Sequence, residues 1–288
     1  MEVKTILVTG GAGFIGSHLC ERLSKRGHKV ISLDNYFTGT EANHVSGVDY
    51  RRGHTKDIEA YVSEVPDVVY HLGEYSRVEQ SFEDIKIVWE SNKQGTFAVL
   101  EFCRQYGCKL VYAGSSTKFG DGGMGRDQSP YAWTKASNTE LVRNYGQWFG
   151  LDYAITYFYN VYGPREITEG KYATLIGLFQ DKLRKRQSLT VVAPGTQVRN
   201  FTHVDDIVDG LLLVGERGYG DDFGLGAEEG YSIIDIAKMF GGEIVMLPER
   251  KGNRMSATVE SERAKAELGW SPKQKIVDYI KDFKQSLV

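Results

Sequence analysis

Tyr131 and Lys135 have the residue types and the spacing of an acid–base pair. They are four positions apart, so on a helix they share a face and can enter the same cleft. An ammonium group close to a phenol stabilises the phenolate, which would let Tyr131 act as a base near neutral pH. Ser115 follows an apolar run and would hydrogen-bond the same substrate oxygen. The pattern predicts proton transfer to and from a hydroxyl group.

A glycine-rich segment, TGGAGFIG at 9–16, stands between a predicted strand and a predicted helix. Glycines there let backbone N–H groups and a helix N-terminus approach a pyrophosphate. Asp34 ends the next predicted strand, where a carboxylate accepts hydrogen bonds from the adenosine ribose and repels a 2′-phosphate. Because no arginine adjoins Asp34, the pattern predicts NAD rather than NADP as the cofactor.

The elements that must position these residues alternate between strand and helix. Strands are predicted at 3–9, 29–34, 67–72, 109–113 and 153–159, and helices at 14–26, 82–106 and 130–149. This alternation predicts an α/β fold, a doubly wound parallel sheet of the Rossmann type with helices on both faces.

The pattern loosens after about residue 160 and predicts a smaller C-terminal α/β lobe. Helices are predicted at 171–186, 204–215, 232–239, 260–268 and 275–286, and short strands at 189–192 and 243–247. We divide the chain into a cofactor-binding domain, 1–165, and a substrate-binding lobe, 166–288. No Ser/Gly linker or repeat marks the boundary, so elements of the two parts can interleave. A site in the cleft between them is expected.

The composition is that of a globular chain and excludes several classes of function. The 288 residues carry a net charge of −3, whereas nucleic-acid binders usually have a basic surplus. No apolar run has the length of a membrane span, and the N-terminus lacks the apolar stretch of a secretory signal. We expect a cytoplasmic protein whose partners include neither nucleic acid nor a membrane.

The cysteines and histidines predict neither disulfides nor a metal site. Cys20, Cys103 and Cys108 form no CxxC motif and cannot all pair, which fits a reducing compartment. The six histidines show no HxxxH or HExxH spacing. We therefore expect no bound metal.

Further motifs extend along nearly the whole chain. They are TGGAGFIGSHL at 9–19, LDN at 33–35, NKQGT at 92–96, Tyr131 with Lys135, NVYGP at 160–164, RNFTHVDD at 199–206 and LGW at 268–270. Together they resemble the extended short-chain dehydrogenase/reductases, the NAD-dependent epimerases and dehydratases of nucleotide sugars.

The resemblance implies a catalytic trio of Ser115, Tyr131 and Lys135. It implies binding of NAD by the glycine segment and by residues that follow it: Gly10, Gly13, Phe14, Ile15, Asp34, Asn35, Asn92 and Lys135. Asn160, Arg199 and Arg250 resemble residues that bind the nucleotide diphosphate of the substrate, a role that suits the planar guanidinium group.

The two residues after Ser115 bear on which reaction follows the first oxidation. In 4,6-dehydratases an Asp-Glu pair follows this position, and in UDP-glucuronate decarboxylases a glutamate stands two residues after it. Ser116 and Thr117 stand there in this chain, and neither is a carboxylic acid. The 4-epimerases have small or hydroxyl residues there. We therefore predict NAD-dependent 4-epimerisation of a nucleotide sugar, as used in polysaccharide biosynthesis.

Three departures from the family pattern alter the expected pocket. The segment between Phe119 and Tyr131 is shorter than the usual insert, and HLGEYSR at 71–77 replaces an apolar run beside the cofactor. We interpret Glu74 and Arg77 in that run as part of a solvated loop, with a substrate-facing position as the alternative. Gly53-His54-Thr55 stands where many relatives have Gly-Asp-Ile at the adenine, and His54 and Thr55 remain cofactor candidates because His54 can still hydrogen-bond or stack with the base.

A C4 dehydrogenase that releases the 4-keto nucleotide sugar is the alternative function. The GEYSR and SSTKF segments resemble those of GDP-heptose-modifying relatives in capsule pathways. A non-catalytic NAD sensor or scaffold is a third hypothesis, because a fold does not determine a function.

The predicted helices 82–106 and 130–149 suggest self-association. The first carries more apolar side chains than one face of a sheet needs to cover. In relatives the two helices pair with their copies across a twofold axis. We expect a homodimer or a tetramer.

Overall fold

Seven parallel strands form the central sheet within residues 2–119, 125–249 and 258–287, which the computed structural model describes. From one edge to the other they are β11 (Gly220–Leu225), β6 (Tyr153–Phe158), β5 (Lys109–Ser115), β4 (Val68–His71), β1 (Thr5–Thr9), β2 (Lys29–Asp34) and β3 (Val48–Arg52). The predicted doubly wound α/β fold is confirmed.

Helices cover both faces of the sheet, which is why its inner strands are almost continuously apolar. On one face lie α1 (Phe14–Lys25), α7 (Val204–Arg217) and α9 (Glu262–Leu268). On the other lie α2 (Ile58–Tyr61), α4 (Gly95–Tyr106) and α5 (Pro130–Phe149). The two apolar cores hold the carboxyl ends of the strands in place, and the candidate site is built from the loops at that edge.

The strands β3 and β11, which form the two edges of the sheet, were not predicted from the sequence. β3 reads Val-Asp-Tyr-Arg-Arg and β11 reads Gly-Asp-Asp-Phe-Gly-Leu, so neither has the apolar run that marks a buried strand. The predicted helix 82–106 is also more complex. It comprises α3 (Ile85–Val88), a π-helical segment (Trp89–Gln94) and α4.

The C-terminal lobe has an apolar core of its own, centred on Phe179, Phe201 and Phe240. Its helices are α6 (Leu175–Arg184), α8 (Ile233–Phe240) and α10 (Ile276–Gln285). Three two-stranded sheets accompany them: β7 (Val161–Tyr162) with β10 (Thr202–His203), β9 (Val198–Asn200) with β12 (Gly230–Ser232), and β8 (Leu189–Val192) with β13 (Ile244–Leu247). Strands β8 and β9 border the cleft described below.

The chain crosses between the two cores more than once. After the lobe has begun, α7 packs on the main sheet, β11 pairs with β6, and α9 joins the same core. The division at residue 165 remains a prediction. The elements that follow residue 165 are shared between the two cores.

Candidate active site

A cleft of about 710 Å³ lies between the carboxyl edge of the main sheet and the C-terminal lobe. The sheet side is lined by the glycine segment, by the loops after β2, β4 and β5, and by the start of α5. The lobe side is lined by residues of 173–178 and 190–201. Of the predicted site residues within the described ranges, the cleft brings together Gly10, Gly13, Phe14, Ile15, Asp34, Asn35, Ser115, Tyr131, Lys135, Asn160 and Arg199.

The glycine segment forms a backbone cradle that side chains would fill. Gly10 has φ +73°, and a Cβ there would come within 2.9 Å of the Gly73 backbone. A Cβ at Gly16 would overlap the carbonyl oxygen of Gly10. Because the first turn of α1 has no side-chain cap, its N–H groups are available to a pyrophosphate. These residues fit a dinucleotide cofactor.

Asp34 lies at the end of β2 and orders the adjoining loop. Its Oδ2 accepts a hydrogen bond from the Ala12 N–H at 3.0 Å, and its Oδ1 accepts one from the Tyr36 N–H at 2.7 Å. Burial raises the pKa of Asp34 above its ordinary value, although both hydrogen bonds oppose that rise. The carboxylate lines the cleft, as a residue facing an adenosine ribose must.

The three predicted catalytic residues converge on one end of the cleft. Ser115 is the last residue of β5, and α5 begins directly after Ser129, whose Oγ caps it by accepting from the Ala132 N–H. This start places Tyr131 in the first turn, where its hydroxyl donates to Ser115 Oγ at 3.2 Å. Lys135 lies one turn further on and is buried. The arrangement can hold one oxygen and move its proton.

Glu74 is a buried partner of Lys135 that was not predicted from the sequence. The side chain is only 4% exposed, and its Oε2 forms an ion pair with Lys135, whose ammonium also donates to the Ala113 carbonyl oxygen. The interpretation of Glu74 as part of a solvated loop is therefore wrong. The loop turns inward because the Asn92 side chain bonds the Tyr75 backbone, accepting from its N–H at 2.7 Å and donating to its carbonyl at 3.2 Å.

A buried chain of hydrogen bonds leads from the glycine segment to Glu74. Thr96 donates its O–H to Glu74 Oε1 at 2.6 Å, so it accepts from His71 Nε2 at 3.0 Å. His71 Nδ1 then accepts from the Thr9 hydroxyl at 2.7 Å. Burial lowers the pKa of His71 to about 4, which keeps the ring neutral and consistent with this direction of donation.

Asn138 is a second residue that the analysis of spacing missed. It stands seven positions after Tyr131, on the face that carries Lys135, and that spacing was the available signal. Its side-chain N–H group donates to the Asn92 carbonyl oxygen at 2.6 Å and to Glu74 Oε1 at 2.9 Å. Asn138 thus ties the π-helical segment to the catalytic end of the cleft.

Three predicted cofactor residues do not line the cleft. Asn92 is fully buried and its side chain is engaged by Tyr75 and Thr134. His54 Nδ1 accepts from the Lys56 N–H at 3.1 Å, and Thr55 packs beside Gly95. The cofactor roles of Asn92, His54 and Thr55 stay predictions.

The predicted substrate residues Asn160 and Arg199 both line the cleft, Asn160 two residues after β6 of the main sheet and Arg199 on β9. Asn160 donates to the Asn200 carbonyl oxygen at 3.0 Å, and Arg199 on β9 donates to the Val198 carbonyl oxygen at 2.8 Å. Arg250 lies outside the described residues. Arg77 lines the same cleft and donates twice to the Tyr172 carbonyl oxygen, at 2.7 and 2.9 Å, so it joins the loop after β4 to the lobe.

Comparison with known proteins decides the family. The model of the NAD dependent epimerase/dehydratase family matches residues 6–226. The chain belongs to this family. Members are NAD dependent, and NAD is the cofactor that the glycine cradle and Asp34 fit.

The chain is similar over almost its full length to family members of more than one activity. It is 31% identical to a putative UDP-glucose 4-epimerase of Methanocaldococcus jannaschii, over 96% of each chain. It is 30% identical to UDP-glucuronic acid decarboxylase 2 of Arabidopsis thaliana, over 97% of this chain and 68% of the relative. The crystal structure of the Thermus thermophilus UDP-glucose 4-epimerase in complex with NAD superposes with a TM-score of 0.89 at 30% identity, over 98% of each chain.

The sequence predicted no membrane-spanning helix, no metal site and no disulfide bond. In the part of the chain that the structure describes, no helix is long and apolar enough to span a bilayer. No group of three or more His, Cys, Asp or Glu side chains there could hold a metal ion. The three cysteines are buried and unpaired.

Proposed function

We propose that this protein catalyses NAD-dependent oxidation and re-reduction at C4 of a nucleotide-diphosphate sugar, with 4-epimerisation as the net reaction. The observation that carries the proposal is the 3.2 Å hydrogen bond from Tyr131 to Ser115 beside a buried Lys135, in the same cleft as the glycine cradle. This geometry supports proton transfer at a hydroxyl group whose carbon lies close to a bound dinucleotide.

Tyr131 and Ser115 would act together on the C4 hydroxyl. Ser115 Oγ would hold the substrate oxygen, and Tyr131, as the general base, would take the hydroxyl proton. Bound NAD would supply the hydride acceptor, so that the C4–H bond would break as the C4=O bond forms, and the same cofactor would supply the hydride for re-reduction. Tyr131 gives its proton back to the oxygen when the opposite face of the ketone is reduced.

The residues after Ser115 support epimerisation over elimination or decarboxylation. Ser115 Oγ and Thr117 Oγ1 are 2.9 Å apart, so the Thr117 hydroxyl group lies beside Ser115. The dehydratases and decarboxylases that the chain resembles have a carboxyl group at the position of Thr117. Glu74 is the carboxylate next to Lys135, and its ion pair and hydrogen bonds occupy both of its oxygens. It is therefore unsuited to deliver or accept a proton at the substrate.

Asn160 and Arg199 are the proposed contacts to the nucleotide diphosphate. Both line the cleft, and the Asn160 side chain donates to the carbonyl oxygen of Asn200, which follows Arg199 on β9. Arginine meets phosphate oxygens with paired N–H groups, which suits a diphosphate between the sugar and the base. The sugar would then extend towards Tyr131.

Product analysis tests the proposed function. The purified protein is incubated with UDP-, GDP-, CDP- and dTDP-sugars, with and without added NAD. The products are separated, and their masses are determined by mass spectrometry. A stereoisomer of unchanged mass, formed without net NADH, is the expected result. A product two hydrogens lighter with stoichiometric NADH would instead establish the C4 dehydrogenase.

Asp34 is expected to set the choice between NAD and NADP. Its carboxylate would lie close to a 2′-phosphate, and the repulsion of two unit charges about 4 Å apart ranges from about 1 kcal/mol in water to about 4 kcal/mol near a protein surface. We expect the wild-type protein to prefer NAD, and Asp34→Asn to narrow that preference about tenfold. Titration of the wild-type protein and of Asp34→Asn with NAD and with NADP measures the change. An unaltered ratio of the two dissociation constants would exclude Asp34 as the group that discriminates between the nucleotides.

We propose that the protein forms a homodimer through α4 and α5. Phe97 of α4 and Trp133 of α5 are exposed by 53% and 39%, and Trp89 of the adjoining π-helical segment by 46%. The indoles of Trp89 and Trp133 stack with their ring centroids 6.2 Å apart. Large exposed apolar surfaces of this kind mark association sites.

The double variant Phe97→Glu/Trp133→Glu is expected to sediment as a monomer, because burying two unpaired carboxylates opposes association. Analytical ultracentrifugation measures the oligomeric state. Tyr219→Glu, at a side chain exposed by 62% elsewhere on the chain, is the control and should leave the dimer intact. A variant that stays dimeric would place the interface elsewhere.

A further inference from the structure

Glu74 takes no part in the proposed proton transfer, yet it forms an ion pair with Lys135. Both side chains line the cleft and are almost wholly buried, at 4% and 6% exposure. Burying an ion pair costs free energy unless additional hydrogen bonds satisfy both partners. The contacts around Glu74 meet that requirement.

Glu74 is held in its ionised form by donors from three elements. Its Oε1 accepts from Thr96 at 2.6 Å, from Asn138 at 2.9 Å and from Tyr112 at 3.2 Å. Complete burial alone would raise the pKa of Glu74. The Lys135 ammonium, together with the hydrogen bonds from Lys135 and Thr96, brings that pKa below the ordinary value instead.

The ion pair also limits what Lys135 can do. An ammonium group has three N–H donors, and among the described residues Glu74 and the Ala113 carbonyl oxygen use two of them. One donor remains for a bound ligand. Arg77 also lines the cleft, so without Glu74 the Lys135 ammonium would add an uncompensated positive charge to a cleft that already contains a guanidinium group.

We propose that Glu74 is a positioning residue that fixes the Lys135 ammonium and compensates its charge, so that the cleft favours the oxidised, cationic form of NAD over the reduced form. The inference rests on the proposed function, which places the nicotinamide beside Ser115, Tyr131 and Lys135. A cleft that favours the oxidised form makes the reduced form a stronger hydride donor. Glu74 therefore favours return of the hydride to the ketone, which completes epimerisation rather than releasing the ketone.

The ratio of the dissociation constants of NAD and NADH tests this inference without a sugar substrate. We expect Glu74→Gln to raise the ratio of the NAD constant to the NADH constant about tenfold, the effect of one uncompensated charge several ångströms away. Competitive calorimetric titration measures both constants. Glu101→Gln is the matched control, because Glu101 pairs with Arg104 and Tyr145 away from the cleft, and its ratio should not change.

Two further variants separate charge from shape. Glu74→Asp keeps the charge and should keep the ratio within about twofold of wild type. The double variant Glu74→Gln/Lys135→Met removes both charges and should restore the ratio. A folded Glu74→Gln with an unchanged ratio overturns the proposal, as does a Glu74→Asp that shifts the ratio equally.

Folding of the variants is itself informative. If Glu74→Gln does not fold, a folded double variant with the wild-type ratio supports the proposal, because it identifies the uncompensated ammonium as the defect. A double variant with a tenfold altered ratio contradicts it. If wild-type protein binds both nucleotides and converts no nucleotide sugar, the proposed function fails while the effect of Glu74 on the ratio still stands or falls separately.

Discussion

Tyr131→Phe is expected to lower kcat about 10³-fold, because a positioned acid–base group contributes factors of roughly 10² to 10⁴. The substitution removes only the hydroxyl that donates to Ser115 Oγ at 3.2 Å. The rest of α5, including Lys135 and Asn138, keeps its contacts, so cofactor affinity should remain within a small factor of wild type. Product formation from the nucleotide sugar identified by the mass analysis is the measurement.

The matched control is Tyr61→Phe, an exposed tyrosine at the end of α2 outside the residues that line the cleft. It should retain wild-type turnover. Near-normal turnover by Tyr131→Phe would show that another group takes the C4 proton and would remove the central step of the proposed mechanism.

Gly16→Ala is expected to weaken NAD binding about 100-fold, the largest binding effect that a single methyl group should produce here. The added Cβ would overlap the Gly10 carbonyl oxygen, and backbone atoms cannot rotate away as a side chain can. Relieving the overlap must displace Gly10, whose φ of +73° and approach to Gly73 leave little room. Such overpacking typically costs about 1–3 kcal/mol. Calorimetric titration with NAD and thermal unfolding measure the two effects.

Gly27→Ala is the control at the other end of α1. A Cβ there would have no heavy atom within 4 Å, although its φ of +82° strains an alanine. We expect about 1 kcal/mol of lost stability and unchanged NAD affinity. Equal losses of affinity in both variants would show that the effect is general destabilisation rather than obstruction of the cradle.

The elements with strong apolar patterns were predictable from the sequence, and those at the edges of the sheet were not. β1 and β4 are buried on both faces and consist almost wholly of apolar and β-branched residues, which is the expected signal. β11 contains Asp221 and Asp222, and it is a strand because β6 offers it a partner. Pairing of that kind depends on tertiary structure and leaves no local pattern.

The residues of the candidate site likewise include some that were predictable from the sequence and others that were not. Ser115, Tyr131 and Lys135 were found because spacing on one strand end and one helix face brings them together. Glu74 was assigned to solvent because a charged side chain in a loop is usually exposed. Its burial depends on donors from Thr96 and Asn138, which are distant in sequence and meet it only in the folded chain.

The order of strands in the sheet has a consequence for synthesis on the ribosome. The chain emerges from its N-terminus, so β6 is complete while its neighbour β11, more than sixty residues later by the spacing of residues 158 and 220, has not yet formed. Until then β6 is an open strand edge, the feature through which nascent chains associate with one another. The seven-stranded sheet is therefore completed only after residues 220–225 have been synthesised, when part of the C-terminal lobe is also present.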